Sequence, residues 1–356
     1  MFLSILDRYI GKTLLNTVIM SLFVLISLSS IIKFVEQLRK VGQGNYSTFC
    51  AGLFTLFSVP KDIEVFLPES ILLGTLLGLG SLITNNELVV IQAAGISLIR
   101  ITGSVMKTTF PLILLTVIIS EWISPVSEKM AHNYRTNMIY NDSTLSAYND
   151  LWIKDGDDFI FIKSIIGSNK LVGINIYHLM KKRLKSFLYA ETATFSNNIW
   201  RLSQVSKSTL IDDKKISSQN TENDEWKTDI TPEKLEIILT KPESMSVSEL
   251  YNYVNYLDQN KQKSNRYLIY VWAKIFSPLS VAVMIFVAIS FILGPLHNVS
   301  MGTRIITGIS LGFLFFITEQ ILRTLSLIYN IPPILGVLFP SAIFITISIG
   351  VLLLRH

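Results

Sequence analysis

The sequence predicts an α-helical membrane protein with six transmembrane helices and an inserted all-β jelly-roll domain. Half of its 356 residues are hydrophobic and only 16% are charged, against about 25% charged residues in an ordinary soluble domain. Six apolar runs are each long enough to cross a bilayer, which takes about 20 residues. Between the third and fourth runs the chain becomes polar, and residues 124–267 carry 19 Lys and Arg and 18 Asp and Glu.

The apolar runs define the predicted transmembrane helices. They cover residues 13–32, 66–83, 101–123, 268–293, 305–328 and 334–354. The first run is too long for a signal peptide, and no small-residue cleavage site follows it, so we expect it to remain as a helix. The predicted domains are therefore residues 1–123 with three helices, 124–267 with the soluble insert, and 268–356 with three further helices.

Basic residues favour cytoplasmic N- and C-termini, but only by six to four. The six on the inner side are Arg8, Lys12, Arg100, Lys107, Arg304 and Arg355, and the four in the first outer loop are Lys33, Arg39, Lys40 and Lys61. The large insert does not count in this rule. This orientation places the insert outside the membrane and leaves an outer basic cluster that needs its own explanation.

The insert is predicted to consist mostly of strands. Short runs rich in aromatic and β-branched residues at 151–154, 159–162, 171–177, 186–195 and 199–210 indicate an antiparallel sandwich or jelly roll. Asp155-Gly156 and Asn197-Asn198 are turn signals between them. Residues 212–229 are polar and predicted to be a loop. Ser246 or Ser248 is predicted to cap a helix that leads back to the membrane.

Sequence motifs for catalysis are absent. Gly11-Lys12-Thr13 resembles the end of a phosphate loop, but the required glycine five places earlier is Leu6, and no strand precedes it. The sequence contains no HExxH motif, CxxC pair or nucleophile elbow. We therefore expect no catalytic residue, metal site or cofactor on this chain, and no binding of nucleic acid. If it works in an energy-driven process, another subunit hydrolyses the nucleotide.

Six cations flank the predicted outer ends of the helices and are the main functional candidates. They are Lys33, Arg39, Lys40, Lys61, Arg135 and Lys274. Lysine and arginine often anchor helix ends at the membrane surface, which is the simpler interpretation of any one of them. A group that opposes the inside-positive rule favours a second interpretation, in which the cations bind the phosphates of an anionic lipid.

Other polar groups near the membrane have two open interpretations each. Glu319 and Arg323 lie four residues apart on one helix face and either form an internal pair or line a cavity. Glu121 is equally ambiguous. On the inner side, residues 85–97 predict a short amphipathic helix that either lies at the interface or docks onto a cytoplasmic partner. Small-residue spacings such as Gly74 with Gly78 indicate close helix packing.

Long motifs along the whole chain resemble the LptF/LptG permease family of lipopolysaccharide export. They include LDRYIGKT, IIKFVEQL, GQGNYS, SVPKDIEVF, ELVVIQAAGIS, SVMKTTFPLILLT, LWIKDG, WRLSQV, WKTDITPEKL, WAKIFSPLSVAVM and YNIPPILG. The run ELVVIQAAG followed by SVMKT is nearer to the LptG branch than to the LptF branch. The resemblance implies a permease in the bacterial inner membrane that pairs with LptF, above an LptB dimer that binds ATP and Mg. It further implies a helix of LptC beside the first span and a periplasmic insert that joins a β-bridge to the outer membrane.

The resemblance also implies roles for particular residues. Lipopolysaccharide headgroup contacts fall on Lys33, Lys40, Lys61 and Arg135, and we add Lys274, Arg39 and His132, the last at a position where the family often carries arginine. Candidates for acyl-chain contact are Phe66, Leu67, Ile26 and Phe315, and those for coupling to the ATPase are Glu87, Leu88, Val89 and Gln92.

Two other functions compete with lipid export. A secondary transporter would have interrupted helices and polar groups at mid-membrane in two matching repeats. Most charge here is at the outer ends instead, which argues against that class. A structural or sensory membrane protein would need no outer cation cluster.

Overall fold

A computed structural model describes residues 5–96, 98–140, 149–166, 169–180, 183–212, 215–228, 230–296 and 299–353. Ten α-helices and six strands lie in these ranges. The helices are α1 (Ile5–Leu38), α2 (Thr48–Thr84), α3 (Glu87–Ala93), α4 (Leu98–Ile118), α5 (Ser124–Tyr140), α6 (Pro232–Leu239), α7 (Val247–Gln259), α8 (Asn265–Leu293), α9 (Met301–Ile328) and α10 (Pro333–Leu353). The strands are β1 (Asn149–Asp155), β2 (Asp158–Ile166), β3 (Lys170–Met180), β4 (Arg183–Ser196), β5 (Ile199–Asp212) and β6 (Lys215–Trp226).

Six helices are long and apolar enough to span a membrane, as predicted. The second is longer than its apolar run, because α2 begins at Thr48 and continues through Pro60 and Pro68. Most of the apolar window of α2 is buried within the chain, whereas the windows of α1 and α9 are the least buried of the six. These two helices therefore expose most of their apolar surface to lipid or to a partner protein.

The third span continues beyond the predicted membrane boundary. A π-helical turn at Ile119–Ile123 joins α4 to α5, so the helical backbone runs on to Tyr140. π-turns inside helices often occur at functional sites. The continuous helix places His132 and Arg135 beside the outer part of α2.

The insert contains one antiparallel six-stranded sheet, which confirms the predicted β-domain. Its strands lie in the order β1-β2-β3-β4-β5-β6, so the described strands form a meander without the Greek-key return that a jelly roll contains. Asn197 and Asn198 both have positive φ, as a two-residue type I′ hairpin requires. One face of the sheet packs around Trp200, Ile160 and Ile174.

The predicted loop at residues 212–229 is wrong for most of its described part. Residues Lys215–Trp226 form β6, which pairs with β5 from Asp212↔Lys215 to Trp200↔Trp226. This strand lies at the edge of the sheet, and its residues from Ile216 to Glu225 are exposed. Both of its faces are therefore polar, and the alternation that marks a half-buried strand is missing.

The connection back to the membrane confirms Ser246 as the helix cap. The Ser246 hydroxyl accepts a hydrogen bond from the Glu249 backbone, and the Glu249 side chain accepts one from the Ser246 backbone. Glu121 also binds here, because its carboxylate accepts hydrogen bonds from the Val247 backbone at 2.8 Å and the Ser248 hydroxyl at 2.7 Å. Glu121 therefore anchors the start of α7, where a negative charge is favourable.

A buried arginine joins the start of α9 to the end of α2. Arg304 donates to the carbonyl of Gly80 at 2.7 Å, to the hydroxyl of Thr84 at 2.9 Å and to the carbonyl of Leu296 at 3.2 Å. Its side chain is fully buried. A Cβ at Gly80 would lie 2.9 Å from Arg304 Cδ, so only glycine leaves room for this contact.

Replacing Gly80 by alanine is expected to destabilise the protein by about 1–3 kcal/mol, because the added methyl group forces Arg304 out of a close-packed site. The unfolding midpoint in detergent, followed by tryptophan fluorescence, measures the change. Gly103→Ala is the matched control: a Cβ there meets no atom within 4 Å, and its midpoint should stay equal or rise. Equal midpoints for Gly80→Ala and the natural protein would contradict the proposed packing role.

Candidate functional site

Most of the predicted outer cations lie together, but acidic side chains separate them. We call this group the outer rim, formed by the basic Lys33, Lys40, Lys61, His132, Arg135 and Lys274 and the acidic Asp62, Glu64 and Glu128. All nine side chains come from α1, α2, α5 and α8 or from the turn after α1. The acids determine which cations keep a positive charge available for a ligand.

Glu64 compensates two of the cations. Its Oε1 lies 3.3 Å from Lys274 Nζ, and its Oε2 lies 3.1 Å from Lys61 Nζ. Ser120 donates a hydrogen bond to the same Oε1 at 3.0 Å. Lys61 also donates to the backbone carbonyl of Glu243 at 2.7 Å, so it joins the rim to the segment after the sheet domain. Lys61 and Lys274 therefore hold helices together as well as supplying charge.

A second ion pair joins the outer part of α1 to α2. Lys33 Nζ lies 2.7 Å from Asp62 Oδ1, and the Asp62 side chain is only 5% exposed. The other oxygen of Asp62 is buried and has no hydrogen-bond partner among the described residues. This pair is the main polar contact of Lys33.

A third group lies on α5 and faces α2. Glu128 Oε1 lies 3.3 Å from His132 Nε2, and Arg135 Nη2 lies 2.8 Å from His132 Nδ1. The Arg135 guanidinium also stacks over the ring of Phe54 at 4.8 Å. His132 therefore lies between the Glu128 carboxylate and the Arg135 guanidinium and contacts both.

Lys40 and Arg135 form the most positive part of the rim. Burial lowers the pKa of Lys40 below its ordinary value, and the charges of Arg135 and Lys241 lower it further, against the opposite effect of Glu36. No carboxylate lies within 4.0 Å of Lys40 Nζ or the Arg135 guanidinium among the described residues. A cation whose charged form is disfavoured by a neighbouring cation is stabilised by a bound anion.

Sequence analysis missed four members of this region. Asp62, Glu64 and Glu128 were not named, and neither was Lys241 of the segment before α7. The run Lys61-Asp62-Ile63-Glu64 contains a local signal for one of them, Glu64, since charges three residues apart on a helix pair readily. Arg39, by contrast, is exposed.

The predicted acyl-chain contacts divide into two groups. Phe66 and Ile26 are half-buried, but Leu67 and Phe315 are each 1% exposed and pack in the core. Phe315 contacts Phe344 edge to face at 5.1 Å, on the side of α9 that faces α10. The exposed apolar side chains of α1 and α9 lie elsewhere on these helices: Met20, Phe23, Leu28, Ile31, Ile306, Ile309, Phe313 and Leu314.

The inner segment forms the short helix that the sequence predicts. In α3, Leu88 is buried in the transmembrane core, whereas Val89 and Val90 are exposed. The side chain of Gln92 lies outside the described part of the chain. The Glu87 carboxylate accepts a hydrogen bond from the Tyr9 hydroxyl of α1 at 2.6 Å. Val90, which the sequence did not single out, therefore replaces Leu88 on the surface of α3.

An internal pair lies within the membrane-spanning part of α9. Arg323 Nη2 donates to Glu319 Oε1 at 2.6 Å, which confirms that the two residues share a helix face. Glu69 of α2 faces Gly312 of α9, and one of its carboxylate oxygens is buried without a hydrogen-bond partner among the described residues. This group joins two helices and is separate from the outer rim.

Comparison with known proteins agrees with this architecture. Residues 8–355 match the family described as lipopolysaccharide export system permease LptF/LptG. The chain belongs to the LptF/LptG family. Among similar LptF/LptG proteins, the lipopolysaccharide export system permease protein LptG of Escherichia coli strain K12 is 50% identical over 353 residues, 98% of each chain. The protein of the same name from Haemophilus influenzae is 42% identical over 346 residues, 96% of each chain.

Membership in the LptF/LptG family accounts for the main features of the chain. It explains why six membrane-spanning helices and one inserted β-domain occur together. These relatives are named LptG, and each matches this chain over nearly its full length. The comparison therefore confirms the LptG branch that the motifs indicated. A permease has a transport role, which is consistent with a rim of charged side chains above exposed apolar helices.

Proposed function

We propose that this chain is the LptG-type subunit of an ATP-driven transporter that takes lipopolysaccharide from the outer leaflet of the inner membrane. The lipid then passes to a periplasmic β-bridge toward the outer membrane. The proposed partners are LptF, an LptB dimer and LptC. Both termini lie in the cytoplasm and the sheet domain in the periplasm, so the outer rim is at the height of lipid headgroups.

The observation that carries this proposal is that Lys40 and Arg135 lie in the same part of the rim, each without a carboxylate within 4.0 Å among the described residues. Lys241 adds a further positive charge near Lys40, and Glu36 supplies an opposing negative one that forms no ion pair with it among the described residues. A phosphate on the lipid headgroup relieves their mutual repulsion. Each hydrogen bond to a charged group contributes about 1.5–3 kcal/mol, so a few contacts select a phosphorylated lipid.

Acyl chains have a different role from phosphates. The exposed apolar faces of α1 and α9 lie below the rim and offer them a surface. Burial of acyl chains contributes little, because the lipid leaves one apolar medium for another. We therefore assign selectivity to the rim and passage of the chains to α1 and α9, rather than to the buried Leu67 and Phe315.

The energy source in this proposal is the LptB dimer, which binds ATP and Mg. Its contact on this chain is α3, where Val89 and Val90 are exposed and Glu87 is held by Tyr9. Movement of α3 then narrows the space above it and drives the lipid toward the sheet domain.

The proposal predicts ATP-dependent lipid release from a purified complex. The chain is produced with LptF, LptB and LptC, placed in vesicles with lipopolysaccharide, and mixed with a soluble periplasmic acceptor. Release on addition of ATP and Mg, and none with a proton gradient alone, is the expected result. Release driven by the gradient without ATP would instead indicate a secondary transporter, and failure of the four proteins to copurify would contradict the proposed assembly.

A further inference from the structure

The inner end of α1 is tied to the coupling segment by one hydrogen bond. Tyr9 donates its hydroxyl hydrogen to Glu87 Oε2 at 2.6 Å. The Asn85 side-chain amide donates a hydrogen bond to the other carboxylate oxygen, Glu87 Oε1, at 3.3 Å. Of these two contacts, only Tyr9 joins Glu87 to a different membrane-spanning helix. A displacement of Glu87 therefore acts on α1 through the tyrosine ring.

The same end of α1 is also tied to α4, the helix that follows α3 in the chain. Asp7 accepts a hydrogen bond from Ser104 and lies 3.6 Å from Lys107 Nζ. A Cβ at Gly11 would lie 2.8 Å from the hydroxyl oxygen of Thr108. The inner end of α1 therefore contacts both the coupling segment and the helix that follows it.

The buried residues of α1 are concentrated in its first half. Its buried residues are Asp7, Ile10, Gly11, Leu14, Val18 and Ser21, followed only by Gln37 near the outer end. The closest approach to α2 is at Gly74, whose added Cβ would lie 2.5 Å from Val18 Cα. Thr17 donates to the Gly74 carbonyl at 2.7 Å. We take this contact as the pivot. Beyond it few side chains of α1 are buried until the outer end, where the Lys33–Asp62 ion pair and the buried Gln37 hold the helix.

The two arms of α1 have unequal length. At 1.5 Å per residue, Tyr9 lies about 14 Å on the inner side of Val18, and Lys33 lies about 22 Å on the outer side. No proline interrupts α1, so Tyr9, Val18 and Lys33 lie on one continuous helix. A tilt about Val18 therefore moves Lys33 farther than Tyr9 and in the opposite direction.

We propose that Tyr9 is a positioning residue that converts movement of α3 into a tilt of α1, which shifts Lys33 relative to Asp62 in each transport cycle. The proposal rests on the proposed function, because it needs an ATPase that displaces α3 and a lipid at the outer rim. Its new content is the connection from Glu87 through Tyr9 to Lys33. Loss of the tyrosine hydroxyl removes the direct hydrogen bond between α1 and α3, whereas the contacts of Asp7 with α4 and every residue of the outer rim remain.

The test is the coupling ratio of the reconstituted four-protein complex carrying Tyr9→Phe. ATP hydrolysis should stay within about twofold of the natural complex, while lipopolysaccharide released per ATP should fall about threefold, the effect of losing one solvent-exposed hydrogen bond. Tyr251→Phe is the matched control, because Tyr251 is exposed on α7 in the sheet-domain connection. An unchanged ratio for Tyr9→Phe would overturn the proposal.

A distance measurement separates coupling from stability. Spin labels are placed at Val35→Cys on α1 and Ile275→Cys on α8, both exposed positions, with Cys50→Ser to remove the native thiol. A non-hydrolysable ATP analogue should change the distance distribution when Tyr9 is present and leave it unchanged in Tyr9→Phe. Equal changes in both would overturn the lever. If the natural complex releases no lipid with ATP, the proposed function fails instead.

Discussion

Replacing Glu64 by glutamine is expected to lower the free energy of unfolding by about 3 kcal/mol, near the lower end of the range for a broken buried ion pair. Glutamine keeps the shape of Glu64 but removes the charge that faces both Lys61 and Lys274. Lys274 is the more affected cation, since its side chain is only 7% exposed. Each ammonium group keeps one backbone carbonyl, at Glu243 or Ser120, which limits the loss.

The unfolding midpoint of the purified protein in detergent measures this effect. The double variant Glu64→Gln with Lys274→Met should recover part of the loss, because it removes the buried charge that the first change leaves unpaired. Glu191→Gln, at an exposed position of β4, is the matched control and should leave the midpoint unchanged. A loss of the same size in the control, or no recovery in the double variant, would contradict the ion-pair explanation.

The sequence was sufficient to predict the six spans and most strands, because both signals are local. A run of about 20 apolar residues specifies a span without knowledge of its neighbours. The five strands with apolar or aromatic faces were found for the same reason. β6 was missed because an exposed edge strand has no apolar face, and its pairing with β5 depends on the whole sheet. The outer extension of α2 is largely apolar, but Pro60 and the charged run Lys61-Asp62-Ile63-Glu64 separate it from the predicted span, although the helix continues through them.

Predictions for the site were less complete, because they depend on how the helices face one another. Cations near helix ends can be found in a sequence, but their pairing with Asp62, Glu64 and Glu128 depends on the rotation of α2 and α5. The contact of Tyr9 with Glu87 spans 78 positions, and that of Arg304 with Gly80 spans 224. No local pattern indicates either contact. Likewise, Leu88 and Phe315 face the core rather than a partner or lipid because of the packing around them.

Replacing Lys40 by glutamate is expected to reduce lipopolysaccharide binding about tenfold to a hundredfold, from the loss of one charge-assisted contact and the addition of a repulsive one. The glutamate lies near Arg135 and Lys241, so it competes directly with a lipid phosphate for these cations. Binding of fluorescent lipopolysaccharide to the purified complex measures the change. Lys263→Glu makes the same change of charge at an exposed position between α7 and α8, and it should bind like the natural protein.

A second variant, Lys40→Met, distinguishes an effect on lipid binding from an effect on stability. The two effects are expected to have opposite signs because the pKa of Lys40 is lowered in the folded protein. Burial and the neighbouring Arg135 lower this pKa, so the folded state disfavours the charged amine relative to the unfolded state. This penalty is present at neutral pH, shrinks once the pH rises past the lowered folded-state pKa, and is gone above the ordinary lysine pKa of the unfolded state. Removing the charge should therefore raise the unfolding midpoint at neutral pH while weakening lipid binding. A lower midpoint together with unchanged binding would show that Lys40 stabilises the fold rather than holding an anion.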